Sequence, residues 1–124
     1  MKKVMITKAG NAEVLNVQEF PAPSPQENEV VILTKACGIN FADILARQGL
    51  YPDAPTLPCC VGYEFSGIIT QVGKAVDKSW VGKSVFGLTR FNGYADTVCV
   101  PLDQVFEKPK CHSMKKVANR REGA

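Results

Sequence analysis

The stretch KACGINFADILARQGLY, Lys35 to Tyr51, gathers most of the polar chemistry this sequence offers. It carries an amide at Asn40, a carboxylate at Asp43, a guanidinium at Arg47 and a phenol at Tyr51. Asn40 and Tyr51 both supply donors suited to a carbonyl oxygen. A metal enzyme could place a cysteine at such a strand-to-helix junction; this chain places an asparagine. Each residue also has a plainer use. Asn40 suits a helix N-cap, with Asp43 at the third helical position where a capping box usually has Glu or Gln. Capping and donating are compatible in one side chain. Tyr51 can simply pack in the loop after the helix. Asp43 and Arg47, at i and i+4, are expected to form a surface pair worth a few tenths of a kcal/mol.

These groups need elements to hold them. Glu29 to Cys37 (EVVILTKAC) is the clearest strand, and Gly38 ends it. From Phe41 to Gln48 the spacing predicts a short amphipathic helix, with Phe41, Ile44, Leu45 and Gln48 on one face. Gly49 closes it. Further strands are expected at Val4–Thr7, Glu13–Phe20, Ile68–Val72, Lys83–Gly87, Tyr94–Val100 and Asp103–Glu107. The segment Gly62 to Gly67 leads into the strand Ile68–Val72. Pro21, Pro23, Pro25 and the loop Pro52 to Pro58 break regular structure. Asn92-Gly93 is a turn signal. Trp80 is expected to pack over the turn segment Gly73 to Gly82. About seven short strands and one short helix make the fold mainly β, a barrel or sandwich. The β-α-β alternation of a dinucleotide-binding fold is absent from the sequence.

Composition narrows the function classes. With 124 residues and 45% hydrophobic residues, the sequence fits one globular domain. No apolar run reaches the roughly 20 residues of a membrane-spanning helix. Val4 to Thr7 is too short for a signal-peptide core, so a cytoplasmic location is expected. The formal charge is +3, but residues 110–124 hold five basic residues against Glu122, so the body is close to neutral. That argues against a nucleic-acid-binding face. Five cysteines, Cys37, Cys59, Cys60, Cys99 and Cys111, are odd in number and lack a C-x-x-C pair. Free thiols, buried or half-buried, are expected.

Four separated strings, KACGINFADILARQGLY, GYEFSGIITQVG, VGKSVFGL and NGYADTVCVPLDQVFEKP, resemble the N-terminal domain of the medium-chain dehydrogenase/reductase superfamily. The resemblance spans about residues 3–109 and implies a GroES-like (chaperonin-10-like) irregular β-barrel with one or two short helices. Within the superfamily the chain looks like the zinc-free quinone oxidoreductases, and in particular their vesicle-amine-transport-protein-like members. Zinc alcohol dehydrogenases of the family have a cysteine where Asn40 stands and a histidine where Tyr63 stands. Asparagine and tyrosine are poor zinc ligands, so no metal site is expected. Zinc-free members reduce quinones or conjugated enones with hydride from NADPH. The resemblance places Asn40 and Tyr51 in the cleft near the nicotinamide, as donors to the developing enolate or to the cofactor amide. Tyr63 is expected to pack, and Glu64 to serve structure by bonding loop amides. His112 is expected to be solvated.

The resemblance also sets limits. Relatives hold NADPH on a glycine-rich turn of a following domain, and no such turn occurs in these 124 residues. Only a half-site is therefore expected, without tight NADPH binding or turnover by this chain alone. Residues 110–124 read as a basic, disordered tail. VANRREG, Val117 to Gly123, resembles a string from further along in relatives, which would place a deletion before it. The alternative is a non-catalytic module that self-associates or touches a membrane peripherally, or an inert truncated isoform.

Overall fold

The computed structural model describes residues 1–38, 41–50, 56–89 and 91–109. The chain pairs β1 (Lys2–Ile6) with β2 (Leu15–Glu19) as an antiparallel ribbon in which Val4 faces Val17. Then come β3 (Glu29–Cys37), α1 (Phe41–Arg47), β4 (Glu64–Val72), β5 (Ser84–Leu88), β6 (Thr97–Pro101) and β7 (Val105–Glu107). The last five strands form an antiparallel sheet in the order β6-β3-β4-β5-β7. The architecture is mainly β, as the sequence predicts.

β3 and β4 sit at the centre because their β-branched and aromatic side chains are buried on the core face. Val30, Ile32, Phe65, Ile69, Val85 and Val98 form the heart of the main core. Gly67 lies opposite Thr34 in the ladder, and a Cβ there would collide with the carbonyl oxygen of Leu33. Trp80 ends a 3-10 turn (Lys78–Trp80) and packs against the main core rather than only over its loop. The Lys83 ammonium stands 4.7 Å from its ring centroid.

The ribbon joins the large sheet through bridges, not a continuous ladder. Ile6 and Cys59 exchange backbone hydrogen bonds of 2.7 and 3.1 Å, and the Val4 N–H donates to the Tyr94 carbonyl at 2.8 Å. A second, smaller core fills this junction: Ile6, Val14, Ala46, Cys59 and Val61. It seats α1.

Several boundaries differ from the sequence prediction. β4 begins at Glu64, four residues before the expected Ile68, because Gly67 pairs flat across β3 instead of turning. β6 begins at Thr97, and Tyr94 lies in the loop before it, where its backbone bonds β1 and Val61. The expected strands at Glu13 and Asp103 each open with a 3-10 turn, Ala12–Val14 and Leu102–Gln104. Residues 110–124, including Cys111, His112 and the VANRREG string, lie outside the described residues.

Candidate functional site

The two side chains proposed to face the substrate, Asn40 and Tyr51, both lie outside the described residues. What the structure describes is the frame around them. β3 ends at Cys37, and the buried Gly38 donates its N–H to the carbonyl of Glu64 at 3.2 Å. α1 starts at Phe41. Its last turn is closed by the Gly49 and Leu50 amides, which donate to Ala46 and Leu45, with Gly49 at φ +78°. That is the conformation glycine adopts at no steric cost.

Asp43 is where the structure departs most from the sequence prediction. It does not lie on the surface, as the expected surface pair with Arg47 requires; only 3% of it is exposed. Its carboxylate Oδ2 accepts a 2.7 Å hydrogen bond from the Tyr94 hydroxyl. The helix turns Asp43 and Ala46 inward, while Ile44, Leu45 and Arg47 are half-buried and Gln48 is exposed. The expected apolar face is thus rotated toward the side that reaches Tyr94. A buried carboxylate is costly unless it is hydrogen-bonded, and the phenol supplies such a bond.

Tyr94 is itself tightly fixed. Its N–H donates to Val61 at 3.0 Å, and its carbonyl accepts from Val4 at 2.8 Å and from the Cys60 thiol at 3.5 Å. Gly62, at φ +116°, lies back to back with Gly93; a Cβ on Gly62 would fall 2.8 Å from the Tyr94 ring and backbone nitrogen. Burial, the Asp43 hydrogen bond and the Asp43 charge all push the Tyr94 phenol far above its ordinary value. It therefore stays protonated, a donor, throughout the neutral range. Burial raises the Cys60 thiol to about 11, against a smaller opposing pull from Lys3.

Cys37 departs from the expected burial. It is exposed as a residue, on the outward side of β3. Its sulfur still lies against enough protein, and near enough to Asp43, that burial and then that charge raise its pKa. Cys59 and Cys60 are buried and Cys99 is half-buried, as the sequence predicts. Cys37, Tyr94, Val4 and Val17 line an open groove of about 430 Å³ with Lys2 and Lys3 at its edge.

Tyr63 packs its ring 5.3 Å from that of Phe91, as expected. Glu64 is buried, 2% exposed, at the start of β4. Tyr63, Glu64 and a carboxylate already bonded by Tyr94 do not match the thiolate and imidazole donors of a zinc site. No group of three or more His, Cys, Asp or Glu residues that could hold a metal ion occurs among the described residues. The residue that sequence reasoning missed is Tyr94. The one local signal was its place after the Asn92-Gly93 turn; its partner lies 51 residues away.

The alcohol dehydrogenase GroES-like domain family matches residues 26–110. The mouse synaptic vesicle membrane protein VAT-1 homolog-like is 33% identical over 118 residues, covering 95% of this chain and 28% of the relative. A quinone oxidoreductase of Salmonella typhimurium is 34% identical over 117 residues, covering 94% of this chain and 36% of the relative. Among solved structures, the human VAT-1 homolog-like protein superposes with TM-score 0.89 at 33% identity, over 95% of this chain and 38% of that one. Escherichia coli quinone oxidoreductase complexed with NADPH gives TM-score 0.87 at 34% identity, over 95% and 36%. The chain thus spans about a third of the length of these relatives. With the family model matching residues 26–110 and the fold superposing on these relatives, this chain belongs to the alcohol dehydrogenase GroES-like domain family of the medium-chain dehydrogenase/reductase superfamily.

Proposed function

We propose that residues 1–109 form the substrate-side wall of a zinc-independent reductase that accepts quinones or conjugated enones. The observation that carries this is the similarity, over 94% of the chain, to a quinone oxidoreductase; the sequence resemblance adds that Asn40 and Tyr63 stand where it implies metal ligands in zinc-dependent members. Quinones and enones are electron-poor, so their carbonyls need less Lewis-acid help than an alcohol being oxidised. A neutral amide at Asn40 and a phenol at Tyr51 can hydrogen-bond the oxygen on which charge develops. NADPH would supply the hydride. The residues of this chain would hold the acceptor carbonyl and exclude water behind it.

These 124 residues contain no glycine-rich nucleotide turn, so on this reading they bind NADPH weakly and do not turn over alone. The test grafts residues 1–109 onto the remainder of E. coli quinone oxidoreductase in place of the matching segment. The chimera is expected to reduce a quinone without added zinc. Asn40→Ala is expected to lower its kcat/KM by about 100-fold, the scale for losing one donor to a developing oxyanion, and Tyr51→Phe by a smaller factor. A folded, NADPH-binding chimera whose kcat/KM ignores both substitutions would overturn the proposal.

A second reading rests on the names of the VAT-1 homologs, which are synaptic vesicle membrane proteins. No helix among the described residues is long and apolar enough to cross a membrane. On this reading the chain is a cytoplasmic, non-catalytic module that touches anionic membrane through basic residues 110–124, or that self-associates. Co-sedimentation with phosphatidylserine vesicles, lost in a chain ending at Pro109, would favour it.

A further inference from the structure

We propose that Asp43 and Tyr94 form a positioning pair, which sets the pose of the N-terminal half of α1 against the loop that precedes β6. This rests on the reductase reading, in which Asn40, two residues after Gly38, immediately precedes that helix.

α1 has two described anchors, at opposite ends. Its C-terminal end is held by the Gly10 N–H, which donates to the Arg47 carbonyl at 2.9 Å. Toward its start, the described contact is Asp43 with the Tyr94 hydroxyl. Between them the helix rests on the small apolar cluster through Ala46. Of the described α1 side chains, Ala46 alone belongs to a buried cluster, and alanine has little surface to contribute. A seven-residue helix does not hold itself. The Asp43–Tyr94 bond adds a directional contact toward the helix start, which non-directional packing of Ala46 does not supply.

The other end of the link is rigid. Tyr94 is tied by its backbone to Val61 and Val4, and the loop around it is wedged by the Gly62–Gly93 contact. The loop thus transmits the position of β1 and of the segment before β4 to the helix through the Asp43–Tyr94 bond. Because the phenol keeps its proton, it acts as a fixed donor and not as a proton relay.

The experiment uses the ¹⁵N-labelled 124-residue chain. Tyr94→Phe keeps the ring and removes the donor. Hydrogen exchange of the α1 amides is expected to speed up by about tenfold or more, the scale for one bond to a carboxylate. Phe65 and Ile69 amides in β4 are expected to change by less than about twofold. The Asn40 side-chain amide resonance, assigned through Asn40→Ala, is expected to move. Asp43→Asn leaves an oxygen to accept the phenol proton, so it should retain the α1 protection that Asp43→Ala loses. That second comparison decides the matter if Tyr94→Phe fails to fold. Wild-type α1 protection in both Tyr94→Phe and Asp43→Ala would overturn the proposal. So would equal losses in Asp43→Asn and Asp43→Ala, or a fall in β4 protection as large as that in α1. Chimera kinetics of Asn40→Ala test the reductase reading separately, so failure of one is distinguishable from failure of the other.

Discussion

Raising the pH loads the polar cluster under α1 in a calculable way. In the fold, Tyr94 holds its proton because burial and the Asp43 carboxylate oppose a phenolate. Cys60 holds its proton because burial lifts its thiol from 9.0 to about 11. In the unfolded chain the same groups titrate at their ordinary values, 9.0 and 10.0. Above these values the unfolded state gives up protons that the native state keeps. Stability from this cluster is therefore whole below pH 9 and is lost as the pH rises through 9 and then 10. Each retained proton steepens the loss by at most about 1.4 kcal/mol per pH unit. Tyr94 is half-buried, and solvent screening cuts its share by roughly half. Together the two groups should cost roughly 1–2 kcal/mol between pH 8.5 and 10.5. The assay is urea unfolding followed by far-ultraviolet circular dichroism across that range. Tyr94→Phe should start about 1.5–3 kcal/mol less stable, having lost a hydrogen bond to a carboxylate. It should then decline less steeply than the wild type, since other alkaline effects are shared. Parallel curves for the two proteins from pH 9 to 10.5 would refute the reasoning.

Phe65 is fully buried in the main core, so Phe65→Ala should cost about 3–5 kcal/mol in urea unfolding. Gly67→Ala drives a Cβ into the Leu33 carbonyl at the centre of the β3–β4 ladder, and should cost more than about 2 kcal/mol. Glu107→Ala breaks the exposed 3.1 Å pair with Lys83 and should cost less than about 1 kcal/mol in the same assay. Zinc addition or chelation should leave the Tm within about 1 °C, since a ligand bound only by the native state would raise it; stoichiometric zinc by elemental analysis would contradict the donor-set argument.

The elements that could be read from sequence are those fixed by local physics. Glu29–Cys37 forms the strand its β-branched run predicts, and Gly49 ends α1 with a positive φ. Near the Asn92-Gly93 signal the positive φ values fall one residue earlier than that pair predicts, on Phe91 and Asn92 and not on Gly93. What could not be read depends on partners far along the chain. The i, i+4 spacing of Asp43 and Arg47 describes a helix surface but not which side of the helix meets the body. Tyr94, 51 residues on, turns Asp43 inward. Likewise, Gly67 reads as a break in isolation and becomes a flat ladder position only because the Leu33 backbone passes close to it. Cys37 reads as a buried thiol by residue type, yet strand alternation places it outward.

The account stands most directly on one titration: NADPH fluorescence against the purified 124-residue chain, with circular dichroism reporting its β structure. A folded chain with no saturable NADPH binding is the predicted result. Saturable binding by this chain alone would contradict the claim that it supplies only the substrate side of the cleft.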